Sequence, residues 1–126
     1  MWINENDSLG DWAGGSNITQ LESAIIQLNG TDRFKRRLGT YFNAVQRYQY
    51  HTGYGNFHNI NIYSFGLNPE EHQPSGTCNF SRIDNTIINY NLAPSTDPVN
   101  NVFKMWAINY NVLRIMSGMG GLAYAS

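Results

Sequence analysis

Residues 21–30 read LESAIIQLNG, and this stretch indicates a β fold. Because successive side chains of a strand point to opposite faces, Ile25 and Ile26 place apolar groups on both sides of the chain. The closing Asn-Gly pair is a strong signal for a tight turn between antiparallel strands. We therefore expect a strand over residues 21–28 that ends in a hairpin turn.

Further strand-like segments follow along the chain. Residues 60–67, INIYSFGL, alternate most cleanly between the two faces and predict a strand. Residues 78–92 predict one or two strands, and residues 102–116 predict a long β-type run. In residues 40–52, TYFNAVQRYQYHT, aromatic side chains recur at helical spacing. This segment predicts a short helix or irregular piece that packs its rings inward, so the fold class is all-β, with at most one short helix.

The composition suits one β-rich domain with long loops. The chain has 126 residues, which is enough for one ordinary domain. Charged residues make up 13% of it, against roughly 25% in typical domains, and aromatic residues make up another 13%. Seventeen Asn residues supply much of the polarity, and Asn favours turns. The net charge of −1 provides no overall basic footprint for nucleic acid.

The cysteine count and the hydropathy give two further expectations. Cys78 is the single cysteine, so an internal disulfide is excluded and folding in a reducing compartment is expected. No run approaches the roughly 18 apolar residues of a membrane-spanning helix, so we expect no membrane insertion.

One stretch carries many reactive groups. Residues 68–82, NPEEHQPSGTCNFSR, hold two carboxylates, an imidazole, a thiol and a guanidinium. The chain has no His-x-His, His-Glu-x-x-His or Cys-x-x-Cys pattern, so the ligand spacing of common metal sites is missing. Cys78 and His72 could pair as nucleophile and base, but no third group is evident to orient the imidazole. We expect no catalytic, metal-binding or cofactor-binding residues here.

A structural interpretation of the same stretch is stronger. Pro69 and Pro74 fix their own φ angles and favour extended geometry before them, while Gly76 is free to adopt a positive φ. Arg82 and Asp84 lie two positions apart, which predicts that they share a strand face and pair with groups of this loop. The predicted structural motif consists of Pro69, Glu70, Glu71, His72, Pro74, Gly76, Arg82 and Asp84.

Residues 33–37, RFKRR, concentrate positive charge. Five residues alone make a weak patch for a polyanion. We therefore expect a solvated turn or an intersubunit contact, with a polyanion site as the less favoured alternative.

Four segments in the same order resemble a known family. Residues 60–85, INIYSFGLNPEEHQPSGTCNFSRIDN, and 107–126, AINYNVLRIMSGMGGLAYAS, are similar to the C-terminal signature of the major capsid protein of nucleocytoplasmic large DNA viruses. Residues 28–34, LNGTDRF, and 41–53, YFNAVQRYQYHTG, resemble it as well. The departures are small, with Gly66, Asn68 and Arg47 in place of the family's usual Ala, Lys and Pro.

The resemblance implies a double jelly-roll capsid subunit, of which residues 1–126 form the C-terminal part of the second jelly roll, an antiparallel β-sandwich. Residues 1–20 would be a loop and the end of an upstream strand, residues 21–126 would be the family-like region, and the chain would be a fragment. Family members form trimeric pseudo-hexagonal capsomers of an icosahedral shell. The implied partners are the chain itself as a homotrimer, neighbouring capsomers and minor capsid proteins.

The resemblance also bears on location and chemistry. It implies a place in the virion capsid after synthesis and assembly in the host cytoplasm. An internal virion membrane would lie nearby without insertion of the chain, and direct contact with nucleic acid and bound cofactors are not expected. Since strands would lack partners, we expect the isolated chain to be marginally stable or prone to aggregate.

Two other classes of function remain open from the residues. A carbohydrate-binding β-sandwich is the first, because Trp, Tyr and Asn side chains suit a sugar-binding platform. A metal-dependent jelly-roll enzyme is the least favoured, since the ligand spacing is missing.

Overall fold

The computed structural model describes residues 2–6, 20–53, 60–94 and 101–124. The strands are β1 (Trp2–Asn6), β2 (Leu21–Leu28), β3 (Thr31–Asp32), β4 (Arg37–Leu38), β5 (Ile60–Asn61), β6 (Thr86–Leu92), β7 (Asn101–Met105), β8 (Leu113–Met116) and β9 (Met119–Leu122). A π-helix at Tyr41–Val45 continues into the α-helix α1 (Gln46–Tyr50), and a 3-10 turn spans Phe80–Arg82. No helix of this described part is long and apolar enough to cross a membrane.

Strand β2 organises the largest sheet. It pairs antiparallel with β3 and β4 along one edge and with β6 along the other. Its residues Ala24, Ile25 and Ile26 are all buried. A strand with apolar groups on both faces is expected in the interior of a fold, and the predicted strand over Leu21–Leu28 is confirmed at both ends.

The turn after β2 also follows the prediction. Asn29 and Gly30 have φ values of 50° and 78°, as the central residues of a type I′ hairpin turn require. The Oδ1 atom of Asn29 accepts hydrogen bonds from the backbone N–H groups of Asp84 at 3.0 Å and Asn85 at 3.2 Å. The hairpin tip is thereby fastened to the segment that enters β6.

The core lies between β2 and the π-helix. Leu21, Ala24 and Phe42 form its buried centre, and Phe42 is 0% exposed. The partly buried rings packed against this centre are Phe34, Tyr41, Tyr63 and Phe103. The expected short helix is confirmed and packs Phe42 and Tyr41 inward, but the Tyr48 ring, which the helical spacing predicts on the same face, is 70% exposed. Because Phe103 belongs to β7, a second sheet, with strand order β5-β1-β7, packs on the same core.

Gly39 brings the turn before the π-helix against β2. A Cβ atom on this residue would lie 1.9 Å from the carbonyl oxygen of Leu21. No side chain fits at that distance, so close approach of the two backbones requires glycine here.

The predicted strand over 60–67 is wrong beyond Asn61, where β5 ends. The backbone N–H of Ile62 donates a hydrogen bond to the carbonyl oxygen of Phe42 at 3.1 Å. The Ser64 hydroxyl accepts from the Gly66 N–H at 3.1 Å and donates to its carbonyl oxygen at 2.7 Å. Local side-chain bonds of this kind compete with the pairing of strands and bend the chain away.

The predicted β run over 102–116 is interrupted. Strand β7 ends at Met105, and β8 begins only at Leu113. The Asn111 side chain accepts from the N–H groups of Val112 at 2.8 Å and Tyr124 at 3.1 Å, and donates to the Tyr124 carbonyl oxygen at 3.0 Å. This side chain takes the place of a strand partner and starts a separate β8–β9 hairpin. The predicted fold class, antiparallel β with one short helix, is confirmed.

Candidate functional site

The reactive-looking stretch forms a surface loop tied to the end of α1 by one carboxylate. Both oxygens of Glu70 accept from the Thr52 N–H, at 2.9 and 3.0 Å, and Oε2 also accepts from the Thr52 hydroxyl at 2.5 Å. Nδ1 of His51 lies 3.2 Å from Oε1. We call this arrangement of Glu70, His51 and Thr52 the Glu70 clamp. It joins segments 18 and 19 residues apart in sequence.

The electrostatics of the Glu70 clamp favour the ionised carboxylate. Hydrogen bonds from the Thr52 hydroxyl and then from its N–H lower the pKa of Glu70 below its ordinary value of 4.5, and His51 contributes less. Nδ1 of His51 lies within hydrogen-bonding distance of the carboxylate, whereas Nε2 of the same ring is buried and has no hydrogen-bond partner among the described residues.

The loop is also closed on itself. The Ser75 hydroxyl accepts from the Asn68 N–H at 2.7 Å, and Asn68 donates from its side chain to Glu71 at 3.3 Å. Gly76 has φ 152°, and its carbonyl oxygen would lie 2.8 Å from a Cβ on Gly66. The positive φ predicted for Gly76 is confirmed, and it lets the two sides of the loop meet.

The remaining residues of the predicted motif stay on the surface. Pro69 is half-buried, while Pro74, Glu71 and His72 are exposed. The described hydrogen bonds of the Glu70 carboxylate are with His51 and Thr52, and none of them involves His72.

The prediction for Arg82 and Asp84 is wrong in its geometry. Arg82 belongs to the 3-10 turn Phe80–Arg82, and Asp84 lies in a bend before β6, so the two do not share a strand face. The Asn79 side chain accepts from the Ser81 N–H at 3.1 Å and begins that turn. Among the described residues neither charged side chain forms an ion pair, and the link that Asp84 makes is through its backbone.

The possible metal ligands do not come together in the described part of the chain. No group of three or more His, Cys, Asp or Glu side chains there could hold an ion. Cys78 is a half-buried free thiol, and the Glu70 clamp brings together only one histidine and one carboxylate. His58 lies outside the described residues.

A second feature is an apolar surface near residue 126. Every residue described from Lys104 to Tyr124 is exposed, and Ile108 is 97% exposed. We call its large exposed side chains the C-terminal apolar surface. They are Met105, Trp106, Ile108, Tyr110, Val112, Leu113, Ile115, Met116, Met119, Leu122 and Tyr124. Where exposed apolar side chains form a contiguous patch, they mark a site of contact with another surface.

Sequence reasoning missed both partners of Glu70 and the exposure of this surface. His51 and Thr52 carry no local signal for contact with Glu70, because the pairing depends on how the chain folds back. The C-terminal apolar surface was hidden because an apolar β run has the same pattern whether it is buried or exposed. The Asn residues within residues 106–112 were the one available signal that the run would break.

Comparison with known proteins places this geometry in a family. Residues 4–121 match the family model of the large eukaryotic DNA virus major capsid protein. The chain belongs to this family. Over 105 residues it is 60% identical to the major capsid protein of Phaeocystis pouchetii virus, a match that covers 82% of this chain and 20% of that protein. Over 129 residues it is 46% identical to the major capsid protein of Paramecium bursaria Chlorella virus 1, covering 86% of this chain and 29% of that protein.

Solved structures of capsid proteins have the same fold. The PBCV-1 protein VP54, in a crystal structure fitted into a cryo-EM reconstruction of the virophage Sputnik, matches with a TM-score of 0.67 and 45% identity over 85% of this chain and 30% of that one. A quasi-atomic model of the PBCV-1 virus capsid matches with a TM-score of 0.66 and 43% identity, over 89% of this chain and 32% of that one. The predicted jelly-roll capsid fold is thus confirmed.

This chain spans about a fifth to a third of the length of these relatives. The family match favours a structural capsid role over the alternative of a carbohydrate-binding β-sandwich.

Proposed function

We propose that this chain contributes part of a jelly-roll subunit to the capsid of a large DNA virus. Three such subunits would form a pseudo-hexagonal capsomer, and capsomers would tile an icosahedral shell together with minor capsid proteins. The observation that carries the proposal is the likeness to the PBCV-1 structures, at 45% identity and a TM-score of 0.67. Residues 21–126 would lie in the second jelly roll, with residues 1–20 as a loop and the end of an upstream strand.

The role is structural, and Glu70 of the predicted motif braces its loop against the end of α1. Glu70 accepts three hydrogen bonds from Thr52 and a contact from His51, which leaves little capacity for chemistry. Such bonds hold a loop in one shape, and a repeating shell needs every copy of a corner to have the same shape. We assign no catalytic residue and no cofactor to the chain.

We infer that the C-terminal apolar surface is covered in the virion by other parts of the same capsid polypeptide. Two arguments support this occupant. The relatives are several times longer than the matched region, so most of their chain is available for contact. The β8–β9 hairpin is also a two-stranded sheet, which is marginally stable in water without a partner.

The proposed location is the virion capsid, after synthesis and assembly in the host cytoplasm. An internal membrane would lie near the shell, with no insertion of this chain and no direct contact with nucleic acid. The net charge of −1 and the low charged fraction of 13% suit protein contacts better than contact with anionic polymers.

Quantitative mass spectrometry of purified virus particles tests the proposal. Peptides of this chain should be among the most abundant in the particles, and their share of total protein should rise with each purification step. Chemical cross-links between copies should report a trimer. Peptides that are plentiful in infected cells but diminish as particles are purified would contradict the capsid role.

A further inference from the structure

Residues 33–37 concentrate positive charge on a nearly neutral protein. Arg33, Lys35, Arg36 and Arg37 are four of the eight Lys and Arg residues of the chain, and all four are exposed. We call this group the basic loop. A net charge of −1 gives the protein little long-range attraction for anions, so any attraction for them must be local to this loop.

The basic loop is held in place by its one aromatic residue. The Phe34 ring packs against the rings of Tyr41, Phe42 and Tyr63, with centroid distances of 6.3, 5.8 and 5.1 Å. On either side of Phe34 the backbone is fixed as well. Arg33 donates its N–H to the Ile26 carbonyl oxygen at 2.9 Å, and β4 pairs with β2. The loop therefore presents its charges from a rigid base, which lowers the entropy cost of binding.

The described contacts of these cations are with neutral groups. Arg36 donates to the Ser23 hydroxyl at 3.4 Å, and the Arg37 guanidinium lies 5.3 Å from the centre of the Tyr41 ring. Burial raises the pKa of the Tyr63 hydroxyl, and the nearby Arg33 guanidinium partly offsets this rise.

Among the described residues, no carboxylate forms an ion pair with the cations of the basic loop. The ion pair found among those residues joins His51 to Glu70 and lies elsewhere. The adjacent Asp32 accepts a hydrogen bond from Gln27 at 2.6 Å. The positive charge of the basic loop is therefore available to an external anion.

We propose that the basic loop binds an acidic segment, rich in Asp and Glu, of another protein. Guanidinium groups bind carboxylates through paired hydrogen bonds, and three arginines in five residues suit a row of carboxylates. At physiological salt, the attraction between exposed charges is largely screened beyond about 8 Å. Only carboxylates that lie close to the basic loop therefore contribute to binding, and a short acidic segment can supply them.

A second copy of this chain fits less well as the partner. The described carboxylates outside β1 are scattered: Glu22, Asp32, Glu70, Glu71 and Asp84. Glu70 and Glu71 are the adjacent pair among them, and Glu70 is already held in the Glu70 clamp. The proposal goes beyond the capsid role, and its failure would leave that role intact.

The test measures binding of the full 126-residue chain to fluorescent oligoglutamate by anisotropy. Oligoglutamine of the same length, a DNA duplex and vesicles containing phosphatidylserine serve as comparison probes. We expect oligoglutamate to bind most tightly of the four, with affinity that falls steeply between about 50 and about 200 mM salt, as ion release requires.

Charge-reversal variants locate the site. Lys35→Glu combined with Arg36→Glu should weaken oligoglutamate binding about tenfold. The matched control, Arg82→Glu combined with Arg114→Glu, changes the net charge equally at exposed positions outside the loop and should weaken it by less than about twofold. Circular dichroism melts check folding, and the milder Lys35→Gln with Arg36→Gln replaces the first variant if that one unfolds.

Three results would overturn the proposal. The first is that oligoglutamate binds no better than oligoglutamine, and the second is that both double variants lose binding equally. Tighter binding of DNA or of anionic vesicles, lost in the basic-loop variant, would assign the loop to nucleic acid or to a membrane instead.

Discussion

Residues 21–28 and residues 104–124 are both rich in apolar side chains, yet one segment is buried and the other is exposed. In β2 the side chains of Ala24 and Ile26 are 0% and 4% exposed, whereas Ile108 and Ile115 are 97% and 71% exposed. The difference lies in the neighbours. Strand β2 has pairing strands on both edges and the Phe42 ring over it, while the described contacts of the β8–β9 hairpin are within itself. An apolar sequence therefore indicates that a segment will be covered, but it does not indicate whether the same chain or another part of the assembly covers it.

The largest expected effect is the loss of stability when the buried core is disrupted. Phe42→Ala removes the fully buried ring from the core and should lower the free energy of unfolding by about 3–5 kcal/mol. That is a large part of the roughly 5–15 kcal/mol that holds a domain together. Urea unfolding followed by circular dichroism measures it.

The exposed side supplies the control for this substitution. Ile108→Ala removes a side chain that is 97% exposed and should change the free energy of unfolding by less than about 0.5 kcal/mol. Equal losses for the two variants would mean that residues 104–124 are packed in the isolated chain.

Two glycines, Gly39 beside β2 and Gly121 in β9, allow the same contrast to be tested at the backbone. Gly39→Ala places a Cβ 1.9 Å from the Leu21 carbonyl oxygen, so β2 or the turn must move, at a cost of about 2–3 kcal/mol. Gly121→Ala in β9 meets nothing within 4 Å and should be nearly neutral. Thermal melts of both variants provide the measurement, and a neutral Gly39→Ala would disprove the close approach.

A smaller effect is expected where the β2–β3 hairpin meets β6. Asn29→Gly keeps the positive φ but removes the oxygen that accepts from Asp84 and Asn85, at a cost of about 1 kcal/mol. Asn29→Asp keeps an accepting oxygen and should retain more of the stability. Hydrogen exchange at the Asp84 and Asn85 amides follows the loss directly, and unchanged exchange in Asn29→Gly would rule out this fastening.

The smallest effect concerns the Glu70 clamp, whose carboxylate is exposed to solvent. Its pKa is lower in the folded chain than the ordinary 4.5, so the clamp contributes its full stability above about pH 4.5. That contribution is lost as the pH falls through the lower folded-state pKa. Between pH 7 and pH 3, the melting temperature of the native chain should therefore fall more than that of Glu70→Gln.

Glu71→Gln is the matched control for the clamp, because this neighbour bonds only within its own loop. It should keep the acid response of the native chain. The same acid response in the native chain and in Glu70→Gln would show that the Glu70 clamp contributes nothing to stability.

The sequence was most informative where local chemistry decides the structure. The Asn29-Gly30 turn, the limits of β2 and the positive φ of Gly76 all follow from backbone preferences of single residues. The strand predictions failed where a side chain takes the hydrogen bonds that a neighbouring strand would otherwise make, as the side chains of Ser64 and Asn111 do. The partners of Glu70 and the basic loop's contacts depend on tertiary approach, which no spacing in the sequence encodes.

Hydrogen exchange of residues 113–122, compared between the isolated chain and purified virus particles, measures whether the C-terminal apolar surface is covered in the virion. The β8–β9 amides should exchange quickly in the isolated chain and become strongly protected in the particle, while those of β2 should be protected in both. Slow exchange of this hairpin in the isolated chain, or fast exchange in the particle, would contradict an apolar surface that other parts of the capsid polypeptide cover in the virion.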